Sequence, residues 1–214
     1  MAELLLELYS EEIPPQLQIG ARNQLKHFFE KYFEEENVKF RELSIYSSPT
    51  RLTLIIGNLP EEIKTDSKEI RGPKVGSPDK ILQGFMNAKN ISQNSLVEKE
   101  TKKGKFYFIK TKPKNILVEE LLISALPKAL ASISWKKSMK WSDHNLMWGR
   151  PLRSICALFN GKKISFKFDH LESSDEIIIE QDLRLISKKI KNYKEYKILL
   201  KKNNIIIDQD ERKK

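Results

Sequence analysis

Between Gln16 and Phe33 the apolar side chains Ala21, Leu25, Phe28, Phe29, Tyr32 and Phe33 recur at intervals of three and four, which places them on one face of a helix. A helix face carrying several aromatic rings must be buried against another layer. The flanking segments supply strands for that layer. Glu3 to Tyr9 reads as an opening strand ended by Pro14-Pro15. Glu42 to Ser47 and Arg51 to Asn58 read as two more, separated by Ser48-Pro49-Thr50. That connection is too short for a parallel crossover, so the pair is expected to be antiparallel. Glu61 to Ser77 is polar and contains Arg71-Gly72-Pro73, the signature of a loop. Residues 1–60 are therefore expected to form a strand–helix–hairpin unit, and 61–77 a linker.

Past the linker, Pro78-Asp79 opens a short helix carrying Ile81, Leu82, Phe85 and Met86, and Ile91 to Val97 is expected to add another. Lys105 to Lys110 reads as a strand. Val118 to Ile133 reads as a helix that Pro127 should kink or break. Leu152 to Phe159 and Lys163 to Phe168 are strands joined across Asn160-Gly161, a pairing that favours a type I′ hairpin turn. Glu176 to Glu180 is a further strand, and Ser187 to Lys202 a basic amphipathic helix. The predicted fold is α+β: antiparallel strand pairs with amphipathic helices packed on one face, in two subdomains. The second unit is placed at 78–185, followed by a basic helical end at 186–214 without a closing element.

The net charge of +10 is unevenly spread. Residues 1–100 carry 13 basic and 16 acidic side chains, whereas residues 101–163 carry 14 basic against 3 acidic. A second basic block follows Asp182. Such blocks on a near-neutral body point to a localised anion-binding face, although the tail block also fits an exposed lysine-rich helix. No apolar run approaches the roughly 20 residues that span a bilayer. Glu3 stands where a secretory leader would place Lys or Arg, so no membrane partner and a cytoplasmic location are expected. The lone cysteine, Cys156, reads as a small buried hydrophobe.

Neither a catalytic nor a metal site can be assembled from spacing. His27, His144 and His170 lie far apart in the sequence, none at metal-ligand spacing with Cys or Glu. The glycines form no phosphate-cradling loop. Glu11 and Glu12 could be an acid/base pair, but acidic residues before a helix start are also favoured by its dipole. The segment Ser134 to Arg153 differs from the rest. It holds Trp135, Trp141 and Trp148 interleaved with Lys136, Lys137, Lys140, Arg150 and Arg153. Cations contact phosphates and aromatic faces stack unpaired bases; alternatively, the rings are core residues with lysine stems packed over them. Arg71 and Lys74 are further candidate RNA contacts.

Seven short stretches in order carry a family resemblance. Glu7-Leu8-Tyr9-Ser10-Glu11-Glu12-Ile13-Pro14-Pro15, Ser48-Pro49-Thr50-Arg51-Leu52, Arg71-Gly72-Pro73, Gln83-Gly84-Phe85, Lys103-Gly104-Lys105-Phe106, Lys137-Ser138-Met139-Lys140-Trp141 and Arg150-Pro151 together resemble the N-terminal part of the glycyl-tRNA synthetase beta subunit. Tyr9 stands in place of that family's usual Gly, Thr50 and Lys140 in place of Arg, and Asp182-Leu183-Arg184-Leu185 keeps only the arginine of Gly-His-Arg-Phe. The family subunit is several times longer, so the chain is expected to be an N-terminal portion lacking the phosphohydrolase-like and anticodon-binding domains. The resemblance implies a heterotetrameric ligase that joins glycine to tRNA with ATP and Mg used on the alpha subunit. No cofactor is expected on this segment. Its implied partners are the alpha subunit and tRNA, with no DNA. The competing readings are a non-catalytic interaction scaffold with a solvated basic surface, and a hydrolase using Glu11, Glu12 or His144.

Overall fold

The computed structural model describes residues 2–65, 69–89, 96–101, 104–110, 114–181 and 184–213. Strand β1 (Ala2–Ser10) leads into helix α1 (Pro15–Glu35) and the antiparallel strands β2 (Glu42–Ser48) and β3 (Arg51–Leu59). Pro15 occupies the first helical turn, where its missing N–H costs nothing. At the other end Asn37 adopts φ 56°, and the amides of Asn37 and Val38 return to the carbonyls of Glu34 and Phe33. This is the Schellman closure that ends helices at a left-handed residue.

The chain then leaves along β4 (Glu62–Thr65) into an inserted unit and returns along β8 (Lys114–Leu117). The insert holds β5 (Glu69–Lys74), helix α2 (Asp79–Lys89), β6 (Leu96–Thr101) and β7 (Gly104–Lys110). Its strands are antiparallel in the order β5-β7-β6. One expectation fails here and another falls largely outside the described residues. The 61–77 stretch is not a loop but carries β4 and β5, with Arg71-Gly72-Pro73 taken into β5 at a register shift against β7. Of the helix expected at 91–97, residues 91–95 lie outside those described, and Leu96 and Val97 belong to β6.

After β8 comes helix α3 (Val118–Ala131), which runs unbroken through Pro127. Val118, Leu122, Ala125, Leu126, Ala129 and Leu130 are all fully buried on both sides of the proline, so packing holds the helix together where local propensity would interrupt it. Strand β9 (Leu152–Phe159) turns through Asn160 (φ 50°) and Gly161 (φ 77°) into β10 (Lys162–Lys163), as the type I′ expectation requires. Then follow β11 (Lys167–Phe168), β12 (Leu171–Ser174), β13 (Glu176–Gln181) and β14 (Arg184–Lys189). Helix α4 (Tyr193–Lys202) and the short α5 (Gln209–Arg212) complete the chain described. The basic helix expected from Ser187 starts later, because Asn192 accepts from the amide of Glu195 at 2.8 Å and Glu195 reaches back to the amide of Lys191 at 2.7 Å. That reciprocal cap fixes the start, and the preceding residues pair with β13 instead.

The main sheet has the order β11-β12-β9-β1-β3-β2, with β10 on β9. β1 lies between β3 and β9, antiparallel to both. Strand alternation sends Leu4, Leu6 and Leu8 to one face, where they join Leu25, Phe29 and Phe33 of α1 and the buried side of α3 in one apolar cluster. Each fully buried Leu or Phe contributes about 1.5–3 kcal/mol. The opposite face is covered as well: Leu5, Ile55, Cys156 and Leu158 pack with Ile177 and Ile179 of β13 and Tyr196 and Leu200 of α4. The fold class is α+β, as expected. The division differs from the sequential one: Met1–Ile63 and Leu117–Lys214 form one unit and Lys64–Ile116 the other. The reason is the pairing of β9 with β1, which returns the 117–214 stretch to the first unit. Among the described residues no helix is long and apolar enough to cross a membrane.

Candidate functional site

The alternation that turns Leu6 and Leu8 into the helical core turns Glu7 and Tyr9 to the other face of β1. There β3 contributes Arg51 and Thr53, and α4 contributes Tyr196. Glu7, Arg51, Thr53 and Tyr196 are all buried. Arg51 Nε donates to Glu7 Oε2 at 3.2 Å, and the Tyr196 hydroxyl donates to the same oxygen at 2.5 Å. Tyr196 Oη also lies 2.9 Å from Thr53 Oγ1. The other guanidinium nitrogens of Arg51 reach Thr50 Oγ1 and the carbonyl of Ile178, and its plane lies 4.8 Å over the Tyr9 ring. Burial raises the Glu7 carboxyl above its ordinary range, against the pull of Arg51 and Tyr196. The Tyr196 phenol is raised as well, first by burial and then by Glu7. Glu7 Oε1 has no hydrogen-bond partner among the described residues.

Three backbone bonds close this corner: Ser10 N to Thr50 O (2.9 Å), Glu11 N to Pro151 O (3.0 Å) and Ile13 N to Pro49 O (2.6 Å). Glu11 also pairs with Arg153. Beside Arg51 opens a cavity of about 720 Å³ whose walls include Tyr9, Glu12, Ser48, Pro49, Glu180 and Arg212. This network joins residues from distant parts of the chain and was not expected from the sequence. Its one signal was a glutamate in an otherwise apolar strand centre, since a carboxyl buried there needs a cationic partner.

The tryptophan–lysine segment lies elsewhere on the same unit. Met139 and Trp148 exchange backbone bonds of 2.9 and 3.2 Å, closing the residues between them into a loop. Trp148 is 2% exposed and lies 5.0 Å from Trp135 and 5.7 Å from Phe168, centroid to centroid. Gly149 permits that approach, because a Cβ there would fall 2.5 Å from the Trp135 ring. The backbone of Ser134 is held by two hydrogen bonds to the Gln24 side chain of α1. Trp148 is thus a core residue, while Trp135 and Trp141 are half-buried and pack against that core, Trp141 meeting His170 edge-on at 5.8 Å. Lys136, Lys137 and Lys140 remain exposed; Lys140 Nζ reaches Asn145 Oδ1 at 3.5 Å. Arg150 donates to the carbonyl of Gly149 at 3.1 Å, and Arg153 is tied to Glu11. Arg71 and Lys74 sit on β5 of the inserted unit, where Arg71 lies 3.6 Å over the Phe106 ring. Next to it, a Cβ at Gly72 would meet Phe85 at 2.7 Å.

The histidines behave differently from their sequence spacing. His144 and His170 stack face to face at 3.5 Å, 2° from parallel. Asp169 accepts from the amide of Leu146 at 3.0 Å and lies 3.3 Å from His170 Nδ1. Parallel stacked imidazoles do not converge on one ion, and no group of three or more His, Cys, Asp or Glu among the described residues could hold a metal. Cys156 is buried beside Glu7, and burial pushes its thiol up, away from the thiolate that reactivity needs. Glu11, paired with Arg153, and His144, stacked on His170, have no contact with one another among the described residues.

The model of the family described as "Glycyl-tRNA synthetase beta subunit" matches residues 4–214. The chain belongs to this family. Among curated relatives, the glycine–tRNA ligase beta subunit of Rickettsia felis is 34% identical over 215 residues, covering 99% of this chain and 32% of that protein. Those of Rickettsia akari, at 34% over 215 residues, and Rickettsia bellii, at 33% over 212, match to a similar extent. The chain spans about a third of the length of the curated relatives it matches. Within this beta-subunit family member, the Glu-Glu-Ile-Pro, Ser-Pro-Thr-Arg and Arg-Pro stretches meet at the Glu7 corner. Arg-Gly-Pro, Gly-Phe and the Lys105-Phe106 step come together in the insert through the Arg71–Phe106 and Gly72–Phe85 contacts. Tyr9, in place of the family's Gly, supplies the ring under Arg51. Lys103, Asp182 and Leu183 lie outside the described residues.

Proposed function

We propose that this chain is the N-terminal segment of a glycine–tRNA ligase beta subunit and contributes tRNA contacts to the complete enzyme. The observation that carries the reading is the division of labour in the 135–153 segment. Trp148 is fixed in the core and the half-buried Trp135 packs against it, and this leaves Lys136, Lys137 and Lys140 exposed on a braced support. A cation presented from a rigid base loses less freedom on meeting a phosphate than one on a mobile tail. Arg150 and Arg153, already engaged within the chain, are assigned a secondary part, and Arg71 and Lys74 form a separate candidate contact on the insert. In this account the complete cytoplasmic enzyme activates glycine with ATP and Mg on its alpha subunit, and the beta segment docks alpha and holds tRNA.

Co-purification with the alpha subunit and with tRNA, tested separately on Lys136, Lys137 and Lys140 changed together to Ala, examines the reading. Loss of tRNA with alpha retained is expected. Retention of both makes the segment structural, and the chain then acts as a protein-interaction scaffold.

A further inference from the structure

The two faces of the insert's β5-β7-β6 sheet differ in chemistry. β7 is the central strand. Residues directly opposite each other in a ladder share a face, and the register sets Arg71 and Val97 opposite Phe108, and Lys74 and Lys99 opposite Phe106. One face thus carries two aromatic rings on its central strand, with Arg71, Lys74 and Lys99 on the strands to either side. The alternate positions Ile70, Tyr107 and Ile109 belong to the other face. There α2 packs: a Cβ at Gly72 would meet the Phe85 ring, and Leu82 and Ile109 are buried. β6 sorts its charges in the same way, since alternation places Lys99 on the aromatic face and Glu98 and Glu100 on the helix side. At the far end of the aromatic face the register sets Glu69 opposite Lys110.

The aromatic face is open to solvent. Arg71, Lys74 and Lys99 are exposed, Val97 is 51% exposed, and Phe106 and Phe108 are half-buried. The Arg71 guanidinium lies 3.6 Å over the Phe106 centroid, and Lys99 Nζ lies 5.8 Å over that of Phe108. Rings two residues apart on one strand stand about 7 Å from each other, which leaves room for a planar group on each. An acidic peptide would engage the cations and leave the rings idle. Unpaired nucleotides engage both, because bases stack on aromatic rings and on guanidinium planes while phosphates meet the cations. We propose that this sheet face binds single-stranded RNA, stacking unpaired bases on Phe108 and on the Arg71–Phe106 pair, with Lys74 and Lys99 toward the phosphates. The proposal rests on the reading that the chain meets tRNA, and it narrows the insert's part to unpaired nucleotides.

The test is a titration of the full chain with a short oligouridylate, followed by amide NMR, with a paired RNA duplex and a polyglutamate peptide as separate probes. Saturable shifts along β6 and β7 are expected from the single strand, and much weaker ones from the duplex, whose bases are stacked inside it. Phe106→Leu/Phe108→Leu, which keeps apolar side chains at both positions, should weaken the single strand about tenfold or more, the scale of lost base stacking. Arg71→Gln should weaken it a few-fold and lower the salt slope by about 0.7 in magnitude. Unchanged amide positions of Ile70 and Ile109 verify the folded insert; if the ring variant unfolds it, Arg71→Gln and the wild-type map decide. The absence of saturable shifts on β6 and β7 in the wild type, or affinity unaltered in the variants, overturns the proposal. So does equal binding of the duplex, or of polyglutamate, which would make the face a docking surface for an acidic protein. Resonances of Lys136, Lys137 and Lys140 report the tRNA reading separately. Shifts there on adding tRNA, with none on β6 and β7 from the single strand, leave that reading standing and sink this proposal; the reverse pattern does the opposite.

Discussion

The hydroxyl of Tyr196 donates to the buried carboxyl of Glu7 at 2.5 Å, tying α4 to the central strand across most of the chain. Both groups are out of water, so neither can replace the other with solvent. Tyr196→Phe is expected to cost about 1.5–3 kcal/mol, the value of a hydrogen bond to a charged group. Urea unfolding measures it, and a loss below about 0.5 kcal/mol, the level of an ordinary surface change, would show the bond to be incidental.

The Glu7–Arg51 pair, 3.2 Å apart and almost fully buried, predicts an asymmetry between single and double changes. Glu7→Gln leaves Arg51 as an uncompensated buried charge and should cost about 3–5 kcal/mol. Glu7→Leu combined with Arg51→Met removes both charges and should cost much less. Comparing the denaturation midpoints of the two variants decides the matter.

Burial raises the Glu7 carboxyl above its ordinary 4.5, so the folded state keeps this proton to higher pH than the unfolded chain does. The contribution is fully present below pH 4.5 and is lost as pH rises through the raised value. Stability profiles of wild type and Glu7→Gln should therefore differ by a downward slope that begins near that pH and is absent from the variant. Parallel profiles would show that Glu7 titrates normally.

Gly149 borders the Trp135 ring so closely that Gly149→Ala must displace the ring or the backbone. Overpacking of this kind costs about 1–3 kcal/mol. The emission of the tryptophans provides a second readout, since the 5.0 Å Trp135–Trp148 contact must open. Unchanged emission and stability would contradict the packing described.

Much of the fold was legible wherever periodicity and turn chemistry act locally. The aromatic face of α1, the Ser48–Thr50 connection between β2 and β3, and the Asn160-Gly161 turn all follow from side-chain spacing or from φ preference. What stayed hidden depends on partners distant in sequence. The pairing of β9 with β1 makes residues 64–116 an insertion, and no property of β9 alone names β1 as its neighbour. Pro127 misleads for the same reason: the core on both sides of it outweighs the local break. The Ser187–Lys189 end of β14 was read as helix because its lysines continue the basic composition of α4, although Asn192 and Glu195 already spelled the cap that separates them. At the candidate site, the exposed lysines and the tryptophans were visible as a block. The fate of each ring was not, because the burial of Trp148 and the half-burial of Trp135 depend on Gly149, Phe168 and α1 together. Glu7 and Tyr196 gained meaning only once three strands and a helix met.

The central claim is that Lys136, Lys137 and Lys140 meet phosphates of tRNA. The most direct measurement is the affinity of the full chain for tRNA as a function of salt, for wild type and for the triple change to Ala. Each phosphate neutralised on a duplex contributes about 0.9 to the slope of log affinity against log salt. The account predicts weaker binding and a slope smaller in magnitude by about 2–3 in the variant. Equal affinity and equal slope in the two proteins would contradict it.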